Sequence, residues 1–285
     1  MSFFGLNFLK IIAVFSSIFI IIFLLIRSFI SPKILYDWAM KEVDLDNYIK
    51  AKKLFLRAIK RKKNFTEALH RLGLLSFKLK DYKTSEDCFR KIIRFDSDNF
   101  VAHYNLGLSL QMLQKTDEAK DSYEKALEVV SDDYDTCFNM GIICFKDKNY
   151  KDALSYFEKA QRSLPNQTSN MFFIVKCKDE LSLEQASITA QTILSEYSKL
   201  ASKSDLPAEF YSSFARAYAK NGQIKEAEEY CRKSLSFNSE DNQAYKLLGL
   251  ISLLNNDILS AKTNLTIASQ LDPNDDEVYN ILKYT

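Results

Sequence analysis

The hydrophobic positions of this chain follow two different patterns along its length. From Ile11 to Ile26, sixteen consecutive residues carry no charge, and with its apolar flanks this segment reaches the ~20 residues that cross a hydrocarbon core. From residue 32 onward, apolar residues instead recur at intervals of three and four positions, which is typical of short amphipathic helices. The pattern predicts an N-terminal transmembrane anchor at 1–31 followed by an all-α region.

A small residue also recurs every 34 positions in the helical region. These positions are Ala39, Gly73, Gly107, Gly141, Ala215 and Gly249, with one slip of register before Ala215. A bulky residue follows sixteen positions later in most copies, namely Phe55, Phe89, Tyr123, Phe157 and Leu265, with Cys231 as the exception. Small residues let two helices approach closely, so each unit is predicted to be a pair of helices. One such pair cannot bury its apolar face alone, which explains why the unit is repeated.

This unit, with small residues at its eighth, twentieth and twenty-seventh positions, resembles the tetratricopeptide repeat. The resemblance implies a right-handed α-α superhelix, a solenoid of about seven helix-turn-helix units. The predicted units are 32–65, 66–99, 100–133, 134–167, 168–207, 208–241 and 242–275, with a C-terminal capping helix at 276–285. The fifth unit is six residues longer than the others and has Ser187 at its twentieth position. Its second helix, roughly Leu183 to Ser202, is therefore predicted to be extended.

The charges that flank the apolar segment predict its orientation. Lys10 and the terminal amine precede it, whereas Arg27, Lys33 and Lys41 follow, and the run from Lys50 to Lys63 then has eight basic residues and no acid. Basic flanks stay on the cytoplasmic side of a membrane, so a single-pass protein with cytoplasmic repeats is expected. No A-x-A-like site follows the segment, which favours an uncleaved anchor over a signal peptide.

The end of the basic run also suggests a second contact with the membrane. Lys60, Arg61, Lys62 and Lys63 are predicted to lie on the exposed side of the second helix of the first unit and in the following turn. Anionic headgroups attract such a segment by ~1 kcal/mol per basic residue near the surface. The alternative is a solvated face without a ligand.

The composition and the motifs argue against catalysis. The net charge of +2 gives no signal for nucleic acid, and the five cysteines have no paired spacing, which predicts buried free thiols in a reducing compartment. The two histidines stand in no metal-ligand pattern, and no P-loop or nucleophile motif is present. We therefore expect no enzyme, no cofactor and no metal. The alternative is an accessory domain of an enzyme complex or an unrecognised enzyme.

The resemblance places a peptide partner along the first helices of the superhelix, in a concave groove. Its inward positions are the second, fifth, sixth, ninth and twelfth of each unit. In the middle units these are Leu74, Phe77, Tyr104, Asn105, Leu108, Phe138, Asn139, Ile142, Phe145 and Phe172. The Lys and Asn of the family's carboxylate-binding clamp are missing, since the fifth and ninth positions here are His70/Leu74, Tyr104/Leu108 and Phe138/Ile142.

An apolar or amphipathic peptide segment is accordingly the predicted ligand of this groove. The aromatic residues Tyr104, Phe138 and Phe172 would form a ladder at intervals of 34 residues, with Asn105 and Asn139 beside them. The alternative is that these aromatic side chains pack only on neighbouring helices. The predicted function is a membrane-anchored scaffold for protein–protein interaction.

Overall fold

The computed structural model describes Ser16 and residues 30–184, 190–203, 206–207 and 209–284. Over this part of the chain the only regular structure is helical, which confirms the all-α prediction there. Fifteen helices occur within it, and they are α1 Pro32–Asp44, α2 Tyr48–Arg61, α3 Thr66–Lys78, α4 Tyr82–Phe95, α5 Phe100–Met112, α6 Thr116–Val129, α7 Tyr134–Lys146, α8 Tyr150–Ser163, α9 Thr168–Glu184, α10 Ala190–Leu200, α11 Phe210–Lys220, α12 Ile224–Phe237, α13 Asn242–Leu254, α14 Ile258–Leu271 and α15 Asp276–Leu282.

The chain forms two compact units, residues 1–131 with α1 to α6 and residues 132–285 with α7 to α15. Both contain helix pairs of constant length. In five of the pairs a first helix of 13 residues is followed by a second of 14 residues. This constancy is the structural form of the 34-residue period in the sequence.

The predicted transmembrane segment, Ile11 to Ile26, lies outside the described residues apart from Ser16. Among the helices of the described part, none has both the length and the apolar character that crossing a bilayer requires.

The turn between the two helices repeats closely in six of the pairs. One residue with positive φ ends the first helix, at φ 58° to 60° in Asp46, Lys80, Gln114, Lys148 and Asn256 and at 78° in Gly222. This left-handed conformation is a common way to end a helix. In several pairs an Asp or Asn side chain then caps the second helix, as Asp81 does by accepting a hydrogen bond from the Thr84 amide.

Four of the pairs pack a glycine of the first helix against a large side chain of the second. A Cβ atom added to Gly141 would lie 2.6 Å from the ring of Phe157, and one added to Gly107 would lie 2.5 Å from the ring of Tyr123. Gly73 stands in the same way against Phe89, and Gly249 against Leu265. In the sixth pair a Cβ is present, at Ala215, and the residue sixteen positions later is the smaller Cys231; both are fully buried in one cluster.

The first helix of the fifth unit, α9, has 17 residues, longer than the 13 residues of the regular pairs. The second helix is predicted from the sequence to extend from Leu183 to Ser202, but Leu183 and Glu184 belong to α9, and α10 ends at Leu200. The prediction is therefore wrong at both ends, while residues 185–189 lie outside the described residues. Ion pairs connect the C-terminal half of α9 to the next two helices. Asp179 pairs with Arg216 and Lys220 of α11. Lys178 pairs with Glu196 of α10.

Replacing Gly141 by Leu is expected to lower the free energy of unfolding by about 3 kcal/mol or more, because Phe157 is fully buried and cannot move aside. Leu favours a helix over Gly, so any loss arises from overpacking alone. Thermal unfolding followed by circular dichroism would measure the change. Ser155→Leu, at an exposed position of α8, is the matched control and should unfold as the unaltered chain does. An unchanged melting temperature for Gly141→Leu would contradict this packing.

Candidate functional site

Residues 132–285 contain an open cavity of about 670 Å³. First helices form most of its wall, since Lys176 and Glu180 come from α9, Arg216 from α11, and Lys246 and Leu250 from α13. Phe145 and Tyr150 line it from the fourth pair, and Glu277 lines it from α15. We call this cavity the charged groove, defined by Lys176, Glu180, Glu209, Arg216, Lys246 and Glu277.

Each cation of the charged groove is paired with a carboxylate. The Nζ atom of Lys176 lies 2.6 Å from a carboxylate oxygen of Glu209. Arg216 donates to Asp179 at 2.8 Å and also pairs with Glu180. Lys246 lies 2.8 Å from Asp275 and 2.7 Å from Glu277. These pairs tie each first helix to residues at the start of the following unit or in α9, so they fix the spacing of the helices along the groove.

The carboxylates keep the cations charged despite their partial burial. Burial by itself opposes the charged form of Lys246, but the hydrogen bonds that it donates to Asp275 and Glu277 outweigh this effect and raise the pKa of the ammonium group. Burial opposes the charged form of Arg216 as well, and the neighbouring Asp179 and Glu180 raise the pKa of its guanidinium. Lys246 and Arg216 therefore stay charged near neutral pH.

The two signs of charge differ in exposure. The side chains of Lys176 and Lys246 are only 17% and 16% exposed, whereas those of Glu209 and Glu277 are 62% and 65% exposed. Glu240, also in the wall of the groove, is exposed. The ammonium groups of Lys176 and Lys246 are thus less accessible to a ligand than the carboxylates of Glu209, Glu240 and Glu277.

Phe138, Ile142 and Phe145 are half-buried at the surface of one apolar cluster of residues 132–285. Phe138 and Phe145 each pack against Phe173, with ring centroids 5.8 Å apart in both cases. Asn139 is half-buried beside them. Of the residues predicted from the sequence, Phe145 is the one that also lines the charged groove.

Phe172 is not a ligand-facing residue. It is fully buried in a second cluster, with the rings of Tyr197 and Phe210 6.4 Å and 6.2 Å away. Its neighbour Phe173 is half-buried and contacts Phe138 instead. The prediction is wrong because Phe172 serves the irregular packing of α9 against α10 and α11, which the period of 34 does not describe.

In residues 1–131 the predicted side chains are accessible to different degrees. Tyr104 and Leu108 are half-buried, and Tyr104 stacks on Phe100 with an interplanar angle of 11°. Phe77 is half-buried against Tyr82, and Leu74 is exposed in the wall of a small cavity of about 190 Å³. The amide of Asn105 donates to the Val101 carbonyl at 2.7 Å, so one of its donors already serves its own helix.

The four basic residues at the end of α2 are all exposed. They are Lys60, Arg61, Lys62 and Lys63. The opposite side of α2 packs inward through Leu54, Phe55 and Ala58. Arg61 donates to the Ile30 carbonyl, and the Nζ atom of Lys62 lies 5.1 Å from the Phe65 ring centroid. The run therefore has the exposure that a membrane-surface segment needs.

The cysteines are free and buried, as predicted. Burial raises the pKa of the thiols of Cys88, Cys177 and Cys231 to about 12 and that of Cys137 to about 11. Near neutral pH these thiols are protonated, so they offer no nucleophile. Within the described ranges, no group of His, Cys, Asp and Glu has an arrangement that could hold a metal ion.

The charged groove could have been found from the sequence by extending the register into the last three units. Lys176 and Arg216 occupy the ninth positions of the fifth and sixth units, Glu209 the second position of the sixth, and Lys246 the fifth position of the seventh. All four are inward positions. Charged residues on amphipathic helices usually form a solvated face, so the pattern of charges alone does not mark these positions as a groove.

Comparison with protein families finds tetratricopeptide repeats in this chain. One tetratricopeptide-repeat model matches residues 98–166, and another matches residues 66–99 and 208–241. The ranges 66–99 and 208–241 coincide with two of the predicted units. No curated protein matches the sequence at a significant level.

Solved structures share the fold at low sequence identity. A tetratricopeptide repeat protein from Parabacteroides merdae is 15% identical, with a TM-score of 0.63 over 88% of this chain and 97% of its own. PilF of Pseudomonas aeruginosa is 17% identical, with a TM-score of 0.59 over 77% of this chain and 97% of its own. YrrB, described as a tetratricopeptide repeat protein with an unusual peptide-binding site, is 22% identical, with a TM-score of 0.54 over 67% of this chain and 95% of its own.

Proposed function

We infer that this chain, which contains tetratricopeptide repeats over residues 66–166 and 208–241, is a protein-interaction scaffold whose charged groove binds a peptide segment of a partner. The observation that carries this inference is the open cavity of about 670 Å³ walled by three first helices. A cavity of this size takes several side chains of a ligand.

The groove suits an amphipathic segment. Phe145, Leu247 and Leu250 supply apolar surface in its wall, and they lie beside the charged side chains. Leu247 and Leu250 are only half-buried, so a ligand can cover more of their surface. Burying apolar area beside satisfied ion pairs gives both affinity and orientation. The peptide-binding site named for YrrB supports this interpretation by analogy of fold.

We also propose that Leu74, Phe77, Tyr104, Asn105 and Leu108 of residues 1–131 and, separately, Phe138, Asn139 and Ile142 of residues 132–285 face a ligand. The exposed surface that these side chains keep supports the proposal.

A photo-crosslinking amino acid in place of Leu250 is expected to attach covalently to a protein partner in cells, because this side chain faces the groove. The product would be detected as a band of higher mass on a denaturing gel. Glu229, exposed on α12 and outside the groove wall, is the control position and should give no such band. Adding Leu247→Asp should abolish the Leu250 product. Equal crosslinking from the two positions would contradict a partner in the groove.

We also propose that residues 1–31 anchor the protein in a membrane, with Lys60, Arg61, Lys62 and Lys63 as a second contact to anionic headgroups. The uncharged stretch from Ile11 to Ile26 supports the anchor. The exposure of all four basic residues supports the headgroup contact.

Liposome flotation tests both contacts. The full chain is expected to float with neutral and anionic vesicles alike, because the apolar segment needs no lipid charge. A chain that starts at residue 30 should float only with anionic vesicles, and its binding should fall as salt rises. Replacing the four basic residues by Gln should remove this binding. Replacing Lys146, Lys148, Lys151 and Lys159 by Gln changes the charge equally and should leave it intact. Equal recovery of the shortened chain with both vesicle types would contradict the headgroup contact.

The repeats are proposed to lie on the cytoplasmic side, since the basic residues after the apolar segment outnumber those before it. Protease added outside intact cells is expected to leave the repeats uncut, and the same protease after lysis should digest them. Digestion in intact cells would place the repeats on the other side of the membrane.

A further inference from the structure

The surface that the charged groove offers to a ligand is negative. Its wall contains three cations, Lys176, Arg216 and Lys246, and five acids, Glu180, Glu209, Glu240, Asp241 and Glu277. The most exposed of these charges are carboxylates, at Glu209 and Glu277 and in the exposed side chain of Glu240. A ligand that enters the groove therefore meets carboxylates first.

The cations of the groove are poorly placed to receive a ligand's carboxylate. Lys246 already contacts both Asp275 and Glu277, and Arg216 contacts both Asp179 and Glu180. Asp179 is almost fully buried, at 1% exposure, and pairs with both Arg216 and Lys220, so losing the Arg216 contact would remove one of the two cations that balance this buried charge. An acidic ligand would have to compete with these internal partners.

The distribution of charge over the whole sequence points the same way. Residues 1–131 contain 22 basic and 15 acidic side chains, and residues 132–285 contain 17 basic and 22 acidic ones. The modest net charge of +2 hides this asymmetry. An acidic groove within an acidic half of the chain attracts positively charged partners over a distance set by the ionic strength.

One end of the groove is aromatic. Phe145 and Tyr150 pack edge to face with ring centroids 5.2 Å apart, and the Nζ atom of Lys176 lies 5.3 Å from the Phe145 ring. Phe145 is half-buried, so an apolar side chain of a ligand can cover what remains of its surface.

We propose that the charged groove binds a basic peptide segment, with Lys or Arg side chains against Glu209 and Glu277 and an apolar side chain against Phe145. This proposal rests on the proposed function of the groove and adds the chemistry of the partner to it.

The test compares three synthetic peptides that share length and apolar residues and differ at the remaining positions, which are Lys, Gln or Glu. Their affinities for the full chain in a neutral detergent would be measured by fluorescence anisotropy. The Lys peptide is expected to bind tightest, and its Kd should rise several-fold between low and physiological salt. An exposed ion pair contributes at most about a factor of five to affinity, so Glu209→Gln with Glu277→Gln should weaken the Lys peptide about tenfold.

Two further variants make the result specific. Lys176→Gln leaves Glu209 without its cation, so it should strengthen binding of the Lys peptide, by up to about fivefold. The pair Glu158→Gln and Glu229→Gln removes the same charge from exposed positions outside the groove wall and should change the Kd by less than about twofold. Thermal unfolding of each variant would show that the fold is kept.

The outcomes separate this proposal from the proposed function. Tightest binding by the Glu peptide would contradict a basic partner but not peptide binding in the groove. The same conclusion would follow if the Gln peptide bound tightest and its Kd did not change with Glu209→Gln and Glu277→Gln. Self-association of the chain that these two substitutions abolish would assign the groove to the basic helix of a second copy and overturn the proposal. Absence of binding by all three peptides, together with absence of crosslinking from Leu250, would overturn the groove function itself.

Discussion

The close approach of two helices at a glycine is the constraint on which the rest of this structure depends. At Gly107 and Gly141 the second helix of a pair comes so near that an aromatic ring fills the place of a missing side chain. The first helix of a pair contacts the second helix through the side that carries the glycine, so its opposite side does not contact the second helix. The surface that a ligand can reach therefore depends on the packing inside the pairs. Of the first helices that wall the charged groove, α13 has this glycine contact, at Gly249, and α11 has Ala215 at the corresponding position.

Ion pairs between neighbouring first helices then adjust what the glycines position. Lys176 with Glu209 and Arg216 with Asp179 each join α9 to the sixth unit, and Lys246 joins α13 to the start of α15. Such pairs contribute little to stability where they are exposed. In the contacts of Lys176 with Glu209 and of Lys246 with Glu277 the carboxylate is the exposed partner, whereas Asp179 is buried. With three cations and five acids in its wall, the groove therefore has a negative outer surface.

Features that repeat with the 34-residue period could be predicted from the sequence, whereas features in which this period conflicts with local burial could not. The glycine and aromatic positions follow the 34-residue period because each pair solves the same packing problem, and the structure has them as predicted at Gly141 and Phe157. The period predicts that Phe172 faces a ligand, but its side chain is instead buried in the irregular aromatic cluster around Tyr197. The longer α9 could not be predicted, since the pairing of Asp179 with Arg216 and Lys220 joins residues about 40 positions apart. The charged residues of the groove can be read from the sequence, but the exposure of each side chain depends on the residue with which it forms an ion pair.

The placement of glycine in this chain has a consequence for the state that precedes folding. Of the six glycines, four are the contact residues Gly73, Gly107, Gly141 and Gly249, and of the left-handed turn positions in the described chain only Gly222 uses glycine. The other turns place Lys, Gln, Asn or Asp in a conformation that costs an L-residue of order 1 kcal/mol. The same residues restrict the backbone of the unfolded chain more than glycine would, so less conformational entropy is lost when the turn forms. The repeats thus accept a small strain in the native turn in exchange for a less disordered denatured ensemble.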